Sequence, residues 1–136
     1  HFHSGSEHTL DGRRYPLEVH LVHASDDGRL AVIGIMFARG EHNPLLDDLI
    51  NVIPGSVGHS QPVMSINLND FLPDDWHSYR YEGSLTTPPC SEIVDWTVFE
   101  TPITASADQL AVFETLFPHS YRPVQERGRR FVLRTN

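Results

Sequence analysis

Histidine is the residue type that stands out in this sequence. The chain of 136 residues contains nine histidines, and five lie within the first 23 positions: His1, His3, His8, His20 and His23. The imidazole side chain is the commonest metal ligand in proteins and titrates close to neutral pH. This amino-terminal cluster therefore indicates metal binding or proton transfer.

The spacing of three of these histidines suits a catalytic metal. His1 and His3 are two residues apart, so on a β-strand both side chains project from the same face. His20 shares the polar face of a second predicted strand with Glu18, and pairing of the two strands would bring the three imidazoles together. Three neutral nitrogens with a fourth position left open are typical of catalytic Zn²⁺, which lowers the pKa of bound water to about 7.

Other interpretations of the same histidines stay open. A His-x-His pair on a strand is often a surface feature, and at a free amino terminus it can chelate Cu²⁺. The spacing of His1, His3 and Glu7 also matches the first half of the metal motif of cupins. Cupins then require a glycine seven residues after the glutamate, where Arg14 stands, and segment 54–59 misses the register of their downstream motif.

Alternation of apolar and polar residues predicts the strands that would position these side chains. Segments 15–23 and 30–37 have strand character, and the turn residues Asp26-Asp27-Gly28 between them predict an antiparallel hairpin. The second of these segments is apolar on both faces, as expected of a central strand. Further strands are predicted at residues 63–68, 93–99 and 130–133.

Two helices are predicted from their amino-terminal signals. Asn43 is a candidate N-cap with Pro44 at the first helical position, and the apolar spacing continues to Ile53. Ser106 and Gln109 form a capping box at the start of a second helix that continues to residue 117. The whole pattern predicts a single mainly β (α+β) domain with peripheral helices.

Composition and charge narrow the classes of partner. Eighteen acidic residues against ten basic ones give a formal net charge of -8 at pH 7, which is the wrong sign for a nucleic-acid-binding protein. No stretch approaches the roughly 18 apolar residues that a membrane-spanning helix requires. We therefore expect neither a nucleic acid nor a membrane as a partner.

Three long segments carry a family resemblance. They are HFHSGSEHTLDGRRYPLEVHLVH (1–23), YEGSLTTPPCSEIVDW (81–96) and YRPVQERGRR (121–130). Together they closely resemble the α-class carbonic anhydrases, and their residues are most similar to those of the bacterial branch. The resemblance implies a large, twisted, mostly antiparallel sheet around a conical cavity with zinc at its base. It also implies that residues 1–136 are the carboxyl-terminal portion of such a domain, truncated at the amino terminus.

The same resemblance assigns roles to individual residues. It implies that zinc is the cofactor and that its ligands are His1, His3 and His20. Glu18 matches a carboxylate that hydrogen-bonds one of the ligands, although the sequence leaves open which ligand that is. Thr86 and Glu7 match a catalytic pair in which the threonine hydroxyl donates to the glutamate and accepts from the zinc hydroxide.

The implied substrate is carbon dioxide, a small apolar molecule that should occupy an apolar site. Thr87 matches a residue that contacts bicarbonate, and the apolar pocket would be formed by Val22, Val32, Leu85 and Trp96. The implied activity is zinc-dependent reversible hydration of carbon dioxide to bicarbonate and a proton by zinc-bound hydroxide. The alternative is a non-catalytic relative that keeps the fold as a binding domain.

Cys90 bears on the cellular compartment. In secreted and periplasmic members of the resembled family, the cysteine after Thr-Thr-Pro-Pro pairs with one near the amino terminus. The resemblance therefore implies a disulfide whose partner, like the proton-shuttle histidine, belongs to the missing amino-terminal region. Because disulfides persist in oxidising compartments, we expect a periplasmic or secreted protein. A homodimer is also possible.

Overall fold

A seven-stranded mixed sheet dominates the part of the chain that the computed structural model describes, residues 1–54, 58–62 and 66–135. The strands are β1 (Phe2–Ser4), β4 (Leu17–Ala24), β5 (Leu30–Arg39), β6 (Ser78–Gly83), β7 (Val94–Phe99), β8 (Ile103–Ala105) and β9 (Leu133–Arg134). Their order is β1-β4-β5-β7-β6-β9. β7 pairs with the first half of β5, and β8 pairs with the last three residues of β5. A separate hairpin joins β2 (Thr9–Leu10) to β3 (Arg13–Arg14).

The pairing within this sheet is mostly antiparallel, as predicted. The pairs β1–β4, β4–β5, β6–β7 and β6–β9 are antiparallel, whereas β5–β7 and β5–β8 are parallel. The predicted hairpin is confirmed, because β4 and β5 pair along eight positions across the turn at 25–29. Its alternation places Leu17 and Val19 on one face and Glu18 and His20 on the other.

The two faces of the sheet carry separate apolar clusters. On one face, α1 (Pro44–Ile50) and α2 (Ala107–Leu116) cover a core that includes Leu17, Val19, Ile35, Phe37, Leu45, Leu46, Phe71, Phe99, Leu110 and Phe113. On the other face, a smaller cluster contains Tyr15, Val32, Met36, Val94, Trp96 and Val98. The predicted metal ligands His1, His3 and His20, together with Glu18, lie on the face of the sheet that carries this smaller cluster.

Both predicted helices are present with the predicted caps. The Asn43 side chain accepts from the backbone of Leu45, and Ser106 and Gln109 form the capping box. Gln109 also donates to the backbone carbonyl of Asn43 and to Asp47, so it joins the two helix starts. The first helix is shorter than predicted because, after Asn51, 3₁₀-type hydrogen bonds from Val52 and Ile53 replace the α-helical ones.

Two predicted strands differ from the structure. For the strand at 63–68, residues 63–65 lie outside the described residues, and Leu68 begins a 3₁₀ turn (Leu68–Phe71) capped by Asn67. For the strand at 130–133, pairing begins only at Leu133, because the backbone N–H of Arg130 donates to the carbonyl of Arg127 in the preceding turn, where the Arg130 side chain also donates. Among the described residues, no helix is long and apolar enough to span a membrane.

Candidate metal centre

The register of β1 against β4 brings the three predicted histidines together. His3 is opposite Glu18, and the backbone N–H of His20 donates to the carbonyl of His1 at 2.9 Å. The ring centroids lie 4.5 Å (His3–His20), 5.4 Å (His1–His3) and 5.7 Å (His1–His20) apart. One nitrogen of each ring falls within 4.8 Å of the others, so the three imidazoles can share one metal ion.

His3 shows which of its nitrogens would bind the metal. Its Nδ1 lies 2.7 Å from the backbone carbonyl of Ser120. A carbonyl oxygen only accepts, so Nδ1 carries the proton and Nε2 keeps its lone pair. That Nε2 atom is buried and has no hydrogen-bond partner among the described residues. A buried lone pair without a donor fits a metal ligand.

Glu18 is buried and accepts four hydrogen bonds, one of which orients the predicted ligand His20. One oxygen accepts from the backbone N–H groups of Glu7 (2.8 Å) and His8 (2.9 Å). The other accepts from His8 Nδ1 (2.6 Å) and His20 Nε2 (2.8 Å). Burial alone would raise the pKa of Glu18. The electrostatic interaction with His8 and these hydrogen bonds outweigh burial and hold that pKa well below its usual range. The ionised carboxylate therefore leaves the His20 Nδ1 lone pair free for a metal.

The charge state of His20 is consistent with that role. Burial lowers the pKa of His20, while the hydrogen bond to Glu18 acts in the opposite direction. The net effect favours the neutral imidazole, which is the form that coordinates metals. The carboxylate–histidine contact then fixes the tautomer and the ring orientation.

Glu7 is held at one oxygen and unpartnered at the other. Its Oε1 accepts from the backbone N–H of Arg122 at 2.6 Å. Its Oε2 is buried without a hydrogen-bond partner among the described residues and lies 3.5 Å from His3 Nε2 and 3.9 Å from His20 Nδ1. The expected hydrogen bond from Thr86 to Glu7 is therefore not formed at Oε2, although both residues line one cavity of about 460 Å³.

Ser120, Tyr121 and Arg122, which we call the Ser120–Arg122 segment, organise the site without having been singled out as site residues from the sequence. The carbonyl of Ser120 holds His3, and its hydroxyl accepts from the backbone N–H of Ser4 at 2.9 Å. The Tyr121 ring lies over Gly5, where an added Cβ would be 2.4 Å from the ring, and Arg14 stacks on it at 4.1 Å. These contacts, made by residues far away in the sequence, position β1 and its residue His3.

His8 and Tyr81 extend the Glu18 network away from the metal cluster. His8 Nε2 lies 2.7 Å from the hydroxyl of Tyr81, which donates to the ring when His8 is neutral. Burial, followed by the negative charge of Glu18, raises the pKa of Tyr81. His8 belongs to the amino-terminal histidine cluster noted in the sequence, but nothing in the sequence singled out Tyr81.

The residues expected to form the apolar pocket are not equally enclosed. Val22, Val32 and Trp96 lie across from one another on β4, β5 and β7. Val32 and Trp96 are buried, and Leu85 packs against the apolar cluster to which they belong. Val22 is 47 % exposed, and Thr87 is also exposed. The binding roles of these residues stay predictions.

Comparison with known proteins places this site in a family. The sequence model described as eukaryotic-type carbonic anhydrase matches residues 1–136. The chain belongs to the α-carbonic anhydrase family. A carbonic anhydrase from Nostoc sp. is 46% identical over 135 residues, which are 98% of this chain and 51% of that relative. The chain therefore spans about half the length of this relative. Membership of the α-carbonic anhydrase family excludes the cupin interpretation.

Solved structures similar to this chain share the fold. The Thermovibrio ammonificans α-carbonic anhydrase in complex with the inhibitor sulfanilamide matches with a TM-score of 0.93 and 42% identity, covering 97% of this chain and 59% of that one. Dioscorin complexed with ascorbate matches with a TM-score of 0.91 and 36% identity, covering 98% and 59%. The fold prediction is thus confirmed.

Proposed function

We propose that the protein interconverts carbon dioxide and bicarbonate at a zinc ion held by His1, His3 and His20. The observation that carries this proposal is the buried Nε2 of His3, which has no hydrogen-bond partner in the described part of the chain, while the Nδ1 of the same ring is bonded to the carbonyl of Ser120. It faces two further imidazoles within ligand distance of one another. An all-nitrogen donor set with one position left open suits catalytic zinc.

Zinc bound there supplies a Lewis acid that generates hydroxide from water near neutral pH. The residues of this chain prepare the site for it. Glu18 and the Ser120 carbonyl hold the rings of His20 and His3 in the tautomers that present a lone pair. We further propose that Thr86 approaches the buried Oε2 of Glu7 and, held by it, orients the attacking oxygen.

Substrate contacts form the second part of the proposal. Val22, Val32, Leu85 and Trp96 would provide an apolar surface for carbon dioxide, and Thr87 would contact bicarbonate. Three of these residues share the site face of the sheet through the register of β4, β5 and β7. A location in the periplasm or outside the cell, a disulfide at Cys90 and a homodimer stay predictions; Cys90 is a free, partly exposed thiol in this structure.

A binding function without catalysis is the second candidate. It is favoured by the similarity to dioscorin, whose solved structure is complexed with ascorbate. The convergence of His1, His3 and His20 argues for the enzyme, because a binding domain has no need to keep a buried lone pair free for a metal.

The two candidates are separated by zinc content and hydration activity of the purified protein. We expect one zinc per chain, together with carbon dioxide hydration that sulfanilamide inhibits. His1→Ala should lose both zinc and activity, whereas His23→Ala, at an exposed position on β4, should keep them. A folded protein that binds no stoichiometric zinc would refute the enzyme proposal.

A further inference from the structure

One arginine contacts both loops that carry the proposed catalytic pair. The backbone N–H of Arg122 donates to Glu7 Oε1 at 2.6 Å. Its guanidinium Nη1 donates to the hydroxyl of Ser84 at 3.1 Å. Ser84 stands two residues before Thr86, and Arg122, Ser84, Thr86 and Glu7 all line the cavity of about 460 Å³.

The Ser84 contact acts on a loop that is otherwise well anchored. The carbonyl of Ser84 accepts from the indole N–H of Trp96 at 3.0 Å, and the backbone N–H of Leu85 donates to Ser91 at 3.0 Å. An added Cβ on Gly83 would lie 2.6 Å from the Tyr81 ring, so the backbone at the start of the loop is closely packed. The hydrogen bond from Arg122 to the Ser84 hydroxyl therefore adds a third contact to a loop in which little room is left for other positions of Thr86.

The geometry points to Arg122 as a positioning residue that sets the Thr86 hydroxyl relative to Glu7 through its hydrogen bond to Ser84. This inference rests on the proposed function. The same residue holds Glu7 through its backbone and the Thr86 loop through its side chain, so its guanidinium contributes directly to the distance between the two. Neither contact involves a metal ligand, so zinc affinity should be independent of the Arg122 side chain.

Arg122→Met tests this role because it removes the guanidinium and keeps the backbone N–H to Glu7. We expect kcat for carbon dioxide hydration to fall by roughly tenfold to a hundredfold, the scale of a misplaced reacting group. Zinc affinity, measured by chelator competition, should stay at the wild-type value. In the metal-free protein, amide hydrogen exchange at Leu85 should accelerate. Arg127→Met is the matched control, since Arg127 lines the same cavity and is exposed.

Ser84→Ala tests the same contact from the other side and removes only a hydroxyl group, so it also serves if Arg122→Met does not fold. It should lower kcat to a similar extent, and combining the two substitutions should lower kcat no further. Arg122→Lys, which keeps a donor, should recover part of the loss.

The outcomes separate this inference from the function on which it rests. A wild-type protein without zinc or hydration activity overturns the proposed function and, with it, the role of Arg122. An active wild type with Arg122→Met and Ser84→Ala indistinguishable from Arg127→Met overturns the role of Arg122 alone. Additive losses in the double variant would also overturn it, because the two groups would then act separately.

Discussion

Glu18→Gln is the substitution that tests the metal centre most directly. Both oxygens of the buried carboxylate are acceptors in the structure, for two backbone N–H groups and for the rings of His8 and His20. If the glutamine oxygen keeps the backbone contacts, its NH₂ group faces two ring N–H donors. The variant therefore places donors against donors in a site that is closed to water.

The size of the effect follows from those contacts. A hydrogen bond to a charged group contributes about 1.5–3 kcal/mol, and two such bonds are lost. His20 can recover one of them by moving its proton from Nε2 to Nδ1, which leaves a net loss of about 1.5–3 kcal/mol in the free energy of unfolding. That proton then occupies the nitrogen proposed to bind zinc, so zinc affinity should fall by about tenfold to a hundredfold.

Two measurements check this prediction on the purified protein. Urea unfolding of the metal-free form gives the change in stability, and competition with a chelator gives the zinc affinity. Glu82→Gln is the control, because Glu82 is an exposed glutamate on β6 and should change stability by less than about 0.5 kcal/mol. Wild-type zinc affinity in Glu18→Gln would refute the tautomer argument, whatever its stability.

Two further predictions concern Gly5 and Tyr81. Gly5 and Gly12 have φ of 77° and 75°, but only at Gly5 would an added Cβ meet a neighbour, the Tyr121 ring at 2.4 Å. In urea unfolding, Gly12→Ala should therefore cost about 1 kcal/mol, and Gly5→Ala should cost more and also weaken zinc binding; equal costs would contradict this. The phenolate absorbance of Tyr81, taken as wild type minus Tyr81→Phe, should appear above the usual tyrosine pKa of about 10, because burial and the charge of Glu18 raise the pKa of Tyr81. Since the folded-state pKa exceeds the unfolded one, its stabilisation is complete below pH ~10 and is lost as pH rises further; titration at or below the usual value would contradict this.

The strand pattern of the site was predictable because it is local. Alternation alone places Glu18 and His20 on one face and Leu17 and Val19 on the other, and the turn at 26–28 determines that β4 and β5 form a hairpin. Local capping also predicted both helix starts. The strand predicted at 130–133 pairs only from Leu133, because the backbone N–H of Arg130 is used in a turn, and the alternation of residue types does not reveal such a hydrogen bond.

Other parts of the site arise only in the tertiary structure. Ser120 holds His3 through its carbonyl, and Arg122 holds Glu7 through its N–H, across separations of 117 and 115 residues. Every residue has a carbonyl and every residue but proline has an N–H, so contacts of this kind leave no signature in side-chain type or spacing.

The sequence by itself therefore determined which residues could bind a metal and on which face of the sheet they lie, since both follow from residue type and the period of a strand. Tertiary structure decided which nitrogen of His3 and His20 stays free, because each tautomer is set by an acceptor that folding brings to the opposite side of the ring. It also decided that the Ser120–Arg122 segment joins the histidines, Glu7 and the Thr86 loop in one site.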